Sequence, residues 1–220
     1  MTDVSRETPS TPELARRAFS SERLPLAERF VASLATAGVE RGLIGPREAP
    51  KLWDRHVLNC LVLASAVPTG STVADLGSGA GLPGLVLAIG RPDLTVTLVE
   101  PLLRRTTFLA EQVESLGLAN VRVFRGRAEE LHGSSTFDVV TARALAPLDR
   151  LLGWGMPLIG ADGVLLAMKG SSAADEVNAA SAVARSLGCA PPTILELTGP
   201  DGSSTATVVR VVRADPTRLG

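Results

Sequence analysis

The chain has 220 residues, 45% of them hydrophobic and only 3% aromatic, with a formal net charge of −1. That is enough apolar material for one ordinary domain with a small appendage to bury its own core. A near-neutral balance excludes a broad phosphate-neutralising surface, so any polyanion has to be met locally.

Residues 1–10 read as a disordered start, 11–68 as a helical N-terminal extension and 69–220 as a separate α/β unit. The opening "MTDVSRETPSTPELARR" carries acids and prolines without an apolar h-region. No run of about 18 apolar residues follows, so the expectation is a soluble, cytoplasmic protein with no membrane partner. Leu14, Ala18, Leu26, Phe30 and Leu34 recur at helical spacing, interrupted near Ser20, Ser21 and Pro25. This predicts two helices, with "SSE" as an N-cap signal. A third helix is predicted from about Pro50 to Ala66, because Leu52, Trp53, His56, Cys60, Leu61 and Leu63 make one stripe.

From Thr72 onward, β-branched and leucine-rich runs alternate with helical patterns: "TVADLG", "LTVTLVE", "VRVFRG", "FDVVTARA" and "GVLLAMKG". Such alternation means a mostly parallel, doubly wound sheet. The last runs, "TILELT" and "TATVVRVVR", are separated only by "GPDGSS", too short for a crossover helix. They are expected to pair as an antiparallel hairpin at one edge. Cys60 and Cys189 lie far apart without metal-ligand spacing, which predicts inert core thiols and no metal. The cations are twenty arginines and two lysines, Lys51 and Lys169. Arginine grips phosphate bidentately, but so general a bias equally reflects genomic base composition.

"GAGLPG", from Gly79 to Gly84, satisfies the G-x-G-x-x-G pattern, a weak dinucleotide signal when alone. A pyrophosphate needs free N–H groups at the helix start and no negative charge nearby. Pro83 removes one N–H and Asp75 adds a carboxylate. A ligand without phosphate and with a positive end fits better, and S-adenosyl-L-methionine is such a ligand. On this reading Asp75 attracts its ammonium, directly or through water, and Gly77 and Gly79 let the backbone approach. Glu100 accepts from the ribose hydroxyls, Leu82 packs on the adenine, and Ala128 and Glu129 meet its edge. A blander reading stands beside it: Asp75 caps a turn, and Glu129 is the exposed start of a short helix. A doubly wound sheet closing on an antiparallel hairpin is the pattern of class I S-adenosylmethionine-dependent methyltransferases, a Rossmann-like fold; this is analogy of fold.

Methyl transfer from a sulfonium is an in-line displacement, so the protein chiefly positions the reactants. No Asn/Asp-Pro-Pro-aromatic motif follows the fourth strand, where "TARALAP" stands instead, and no cysteine follows the fourth or fifth. What fits is a target that already owns a lone pair, such as guanine N7.

Several spaced motifs, "WDRHVLNCL", "DLGSGAGLPGLVLAI", "RRTTFLAEQVESLGLANVRVFRGRAEEL", "FDVVTARALAPLDRLL" and "LLAMKG", resemble the RsmG/GidB family of bacterial 16S rRNA guanine-N7 methyltransferases. The resemblance covers roughly Leu52 to Gly170 and makes 69–220 the methyltransferase domain. It implies methylation of one guanine in 16S rRNA near the decoding centre, within the 30S subunit or an assembly intermediate. It also implies low-level streptomycin resistance on loss. By motif it places cofactor contacts on Gly77, Leu82, Ala128, Glu129 and Arg143. Arg143 is a candidate for the methionine carboxylate, an RNA phosphate or guanine O6, Lys169 for an RNA phosphate or base, and His56 for the catalytic pocket or the core. Where many relatives carry a "WN…NL" segment, this chain has "ERGLIGPREAPKLWDRH", so its helical extension is expected either to meet RNA differently or to need the assembled subunit to present the loop. The rival readings are a methyltransferase of a small molecule or protein, and a non-catalytic adenosyl-binding domain.

Overall fold

The computed structural model describes residues 9–214. The expected disordered start falls largely on residues 1–8, outside the described residues; the Pro9 carbonyl accepts a hydrogen bond from the Trp53 indole at 3.3 Å.

Seven strands form one sheet: β1 (Thr72–Leu76), β2 (Thr95–Glu100), β3 (Val121–Arg125), β4 (Phe137–Arg143), β5 (Ile159–Lys169), β6 (Thr193–Thr198) and β7 (Thr205–Val212). Their order is β3-β2-β1-β4-β5-β7-β6. The first five strands are parallel, and β7 enters antiparallel between β5 and β6. The short 199–204 connection cannot carry a crossover, so β6 and β7 pair as the expected hairpin, with β6 as the edge strand.

The helices are α1 (Glu13–Ala18), α2 (Leu24–Ser33), α3 (Asn59–Leu61), α4 (Gly84–Gly90), α5 (Leu103–Leu116), α6 (Leu148–Gly155) and α7 (Ala173–Ser186). Those up to α5 cover one face of the sheet, and α6 and α7 cover the other. Alternation along β1 serves both layers: Val73 packs into the first core, Ala74 and Leu76 into the second. This double burial is why the central strands read as unbroken apolar runs.

Two local expectations are corrected. "SSE" does not cap α2 with a side chain. The residue preceding the helix is Arg23, Pro25 sits in the first turn, and the Ser20 carbonyl accepts from the Arg23 and Leu24 N–H groups. The Arg23 guanidinium instead reaches the Ile89 and Ala88 carbonyls at the end of α4. The predicted helix from Pro50 to Ala66 is a continuous rod of changing pitch: a 3-10 turn over Ala49–Lys51, a π-helical stretch over Leu52–Leu58, α3, and a 3-10 segment over Val62–Ala66. Cys60 and Cys189 are free, buried thiols, and burial pushes Cys60 up to about 11.

Among the described residues, no helix is long and apolar enough to cross a membrane, and no group of three or more His, Cys, Asp or Glu is placed to hold a metal.

Candidate active site

Parallel strands end on one side of the sheet, and here β1 and β4 diverge: the chain leaves β1 toward β2 and crosses back from β3 to β4. A crevice opens at such a switch point. Leu76, Glu100, Arg143 and Lys169 all stand at this edge, each the last residue of its strand.

The loop after β1 is tied to β2 by the Gly77 and Ser78 N–H groups, which donate to the Val99 carbonyl at 2.8 and 3.2 Å. Gly77 has φ +66°, and a Cβ there would collide with the Leu145 side chain. At Gly84 a Cβ would lie 2.6 Å from Asp75 Oδ2, so α4 approaches the strand as closely as it does only because this residue is glycine.

Asp75 is fully buried beneath the loop. Its Oδ2 accepts from the Gly84 N–H at 3.0 Å, at the start of α4, as the capping reading foresees. Its Oδ1 is buried with no hydrogen-bond partner among the described residues. Burial pushes this carboxyl up to about 7, with Glu100 adding in the same direction, against the Gly84 N–H, Ser78 and Arg143. An orphaned carboxylate oxygen next to a glycine turn suits a cationic group and opposes a diphosphate. Glu100 is also buried; it accepts from the Gly79 N–H at 3.0 Å and the Leu102 N–H at 3.1 Å, with Arg105 3.5 Å away.

At the same edge lies a slot of about 90 Å³, walled by Leu76, Gly77, Val99, Pro101, Gly126 to Glu129, Leu145 and Trp154. Of the expected cofactor contacts, Gly77, Ala128 and Glu129 meet in this wall. Asp75, Gly79, Leu82 and Glu100 line neither this slot nor the cleft beside it: Leu82 is buried in the core, and the buried Asp75 and Glu100 directly adjoin the lining residues Leu76, Val99 and Pro101 along the chain. Ligand pockets begin at about 300 Å³, so admitting an adenosyl group requires Leu145 to withdraw from Gly77. Leu145 is 38% exposed and follows Ala144, whose φ of +51° is strained for a residue with a Cβ.

On the other side of Leu145 opens a cleft of about 660 Å³, lined by Glu48, Arg55, His56, Asn59, Arg143 to Pro147, Met168 to Gly170, and Glu176. Three expected residues, His56, Arg143 and Lys169, come together here. An Arg143 Nη2 hydrogen faces His56 Nδ1 at 3.0 Å, and His56 Nε2 lies 3.0 Å from Glu48 Oε2. Arginine has no acceptor, so Nδ1 must carry the lone pair and Nε2 the hydrogen. Burial holds His56 below its ordinary range, Glu48 pulling upward and Arg143 downward. Lys169 is not a free hand toward solvent: its ammonium bonds Glu176 at 2.6 Å and the Ala146 carbonyl at 2.8 Å. Glu176 also accepts from the Leu148 N–H, so this pair anchors the turn that carries Leu145. Glu48, Leu145, Trp154 and Glu176 are site residues that sequence reasoning missed; none belongs to a glycine or basic motif, and only the acidic Glu48, eight positions before His56, offered a signal.

The family model for rRNA small subunit methyltransferase G matches residues 23–203. A ribosomal RNA small subunit methyltransferase G of Nocardioides sp. is 65% identical over 217 residues, covering 99% of this chain and 87% of its own. That of Streptomyces coelicolor is 55% identical over 206 residues, covering 93% and 86%. Among solved structures, a TehB-like SAM-dependent methyltransferase from Corynebacterium glutamicum aligns with a TM-score of 0.53 at 17% identity, over 88% of this chain and 99% of that one. A SAM dependent methyltransferase from Aquifex aeolicus aligns with a TM-score of 0.53 at 19% identity, over 77% and 99%. The fold is therefore that of the class I S-adenosylmethionine-dependent methyltransferases, as expected.

Proposed function

The chain belongs to the rRNA small subunit methyltransferase G family, which makes it an S-adenosylmethionine-dependent rRNA methyltransferase; from that premise we propose that it methylates N7 of a guanine in 16S rRNA near the decoding centre, in the cytoplasm. The observation that carries the reading is the pair of adjoining cavities at the sheet edge, which share Leu145 as their common wall. The slot over Gly77 takes the adenosyl end of the donor, and the cleft beyond Leu145 takes the nucleotide.

When bound, S-adenosylmethionine supplies an electrophilic methyl: the N7–CH3 bond forms as the S–CH3 bond breaks, its electron pair stays on sulfur, and no proton moves. The chain's residues then have to orient and shield. A neutral His56 agrees with this, since guanine N7 needs no general base. Among the described residues, His56 is the only hydrogen-bond partner of the Arg143 guanidinium. The other guanidinium hydrogens are therefore free to hold a phosphate or guanine O6. Exposed Arg127, which lines the slot, and exposed Arg125, which ends β3 at the same sheet edge, offer phosphate contacts for the flanking RNA.

Labelled methyl donor offered with free 16S rRNA, 30S subunits or cell extract tests this. Label is expected in 16S rRNA within the 30S subunit or an assembly intermediate, at one guanine N7, with binding that weakens as salt rises. Label in a metabolite or protein, and never in rRNA, would overturn it.

Donor affinity has a pH signature. An ammonium prefers the ionised Asp75, whose carboxyl titrates near 7 in the folded protein. Affinity measured calorimetrically is therefore expected to rise with pH up to about 7 and level off above it, with proton release on binding below that point. The apo protein is expected to follow the opposite trend in stability: this carboxyl binds its proton more tightly folded than unfolded, so ionising it costs stability as pH climbs from about 4 to 7. Donor affinity flat across this window would remove Asp75 from ammonium binding.

A further inference from the structure

Building on the reading of the cleft as the nucleotide site, we propose that Glu48 is a positioning residue: it orients the His56 ring so that Nδ1 holds the Arg143 guanidinium at the cleft wall. The three side chains come from two parts of the fold. Glu48 precedes the Ala49–Lys51 turn, His56 lies in the π-helical stretch, and Arg143 ends β4. The relay is thus a polar tie in the cleft between the segment before β1 and the sheet edge.

Each link has one direction. Arg143 donates, so Nδ1 accepts; Nε2–H donates, so Glu48 accepts. A histidine free to rotate or change tautomer would turn an N–H toward the guanidinium and expel it. Glu48 is suited to prevent this because it stays ionised: its hydrogen bond from His56 and the nearby Arg55 and Lys51 hold it below the usual carboxylate range. The charged groups facing His56 are Glu48, Arg55 and Arg143. Lys169 and Glu176 share the cleft but are engaged with each other. Glu48 itself lies 3.3 Å from Arg55 and 3.7 Å from Lys51, so its charge is balanced whether or not His56 is present.

The test uses the full chain with nitrogen-15-labelled histidine, observed by NMR. The chain has two histidines, and His56→Gln identifies the signal. Wild type is expected to show His56 neutral and protonated at Nε2. Glu48→Gln, whose amide oxygen still accepts, is expected to keep that tautomer, whereas Glu48→Ala gives a mixture. With 30S subunits as substrate, Glu48→Ala is expected to lower kcat/KM about ten-fold, mainly through KM. Calorimetric affinity for the methyl donor and Tm should stay near wild type, and Glu48→Gln should recover most of the loss. In Glu48→Gln the attraction of the carboxylate for imidazolium is gone, so the His56 titration and the acid limb of kcat/KM should move together to lower pH.

An unchanged tautomer and unchanged kinetics in Glu48→Ala would overturn the proposal. So would equal losses in both variants tracking a fall in Tm. Failure of the wild-type chain to methylate rRNA would sink the functional reading instead; the tautomer shift in Glu48→Ala would then still decide whether Glu48 sets the ring.

Discussion

Gly77→Asp is expected to give a folded protein that has lost the methyl donor. Titration calorimetry should show affinity reduced by at least about 100-fold, the ~2.7 kcal/mol that overfilling a tight site costs. Aspartate tolerates the left-handed conformation at φ +66° better than most residues. The nearest atoms its Cβ would meet are Cδ1, Cδ2 and Cγ of the Leu145 side chain rather than backbone, and that side chain is partly exposed and can turn toward solvent. The backbone therefore survives, and Tm should move by only a few degrees. The slot does not survive: it measures about 90 Å³ before any side chain is added at Gly77. Retained donor affinity would place the adenosyl group elsewhere and dissolve the two-cavity reading.

Arg143→Ala is expected to cut kcat/KM for rRNA by about 100-fold, corresponding to one or two charge-assisted hydrogen bonds at ~1.5–3 kcal/mol each, with donor affinity within about two-fold of wild type. Lysine at this position should rescue little, because a point charge cannot hold both the His56 ring and a planar or tetrahedral ligand oxygen pair. The discriminating measurement is donor affinity in the variant. If it falls in step with methylation, Arg143 serves the methionine carboxylate on the donor side of Leu145. A collapse in Tm would instead make the residue structural.

The glycine loop illustrates what local pattern conveys. Strand, turn and helix follow one another from Val73 to Gly84, and acid, glycines and proline alone argue for a cation over a diphosphate. The structure gives the blander reading of Asp75 its due, since one oxygen caps α4 through Gly84, and leaves the other oxygen orphaned. Lys169 reads from its motif as a hand for RNA, yet its ammonium is bound to Glu176 and Ala146. What Lys169 holds, with Glu176, is the turn bearing Leu145. Motif position places both residues correctly at the sheet edge. It is silent on which partner each charge finds.

The succession and type of the elements from Thr72 onward, and the antiparallel ending, follow from the chain alone, because parallel strands buried on both faces have to be continuous apolar runs and a short 199–204 link makes the last two pair as a hairpin; the order of the strands in the sheet, with β7 between β5 and β6, does not. The Glu48–His56–Arg143 relay and the wall that Leu145 builds against Gly77 do not. His56 and Arg143 are 87 positions apart, and periodicity carries no information about which side chain of the helical segment will face which strand end. That choice belongs to packing: the rod before β1 settles on the α4 and α5 face, and only then does the Arg143 guanidinium at the end of β4 come within 3.0 Å of the His56 imidazole.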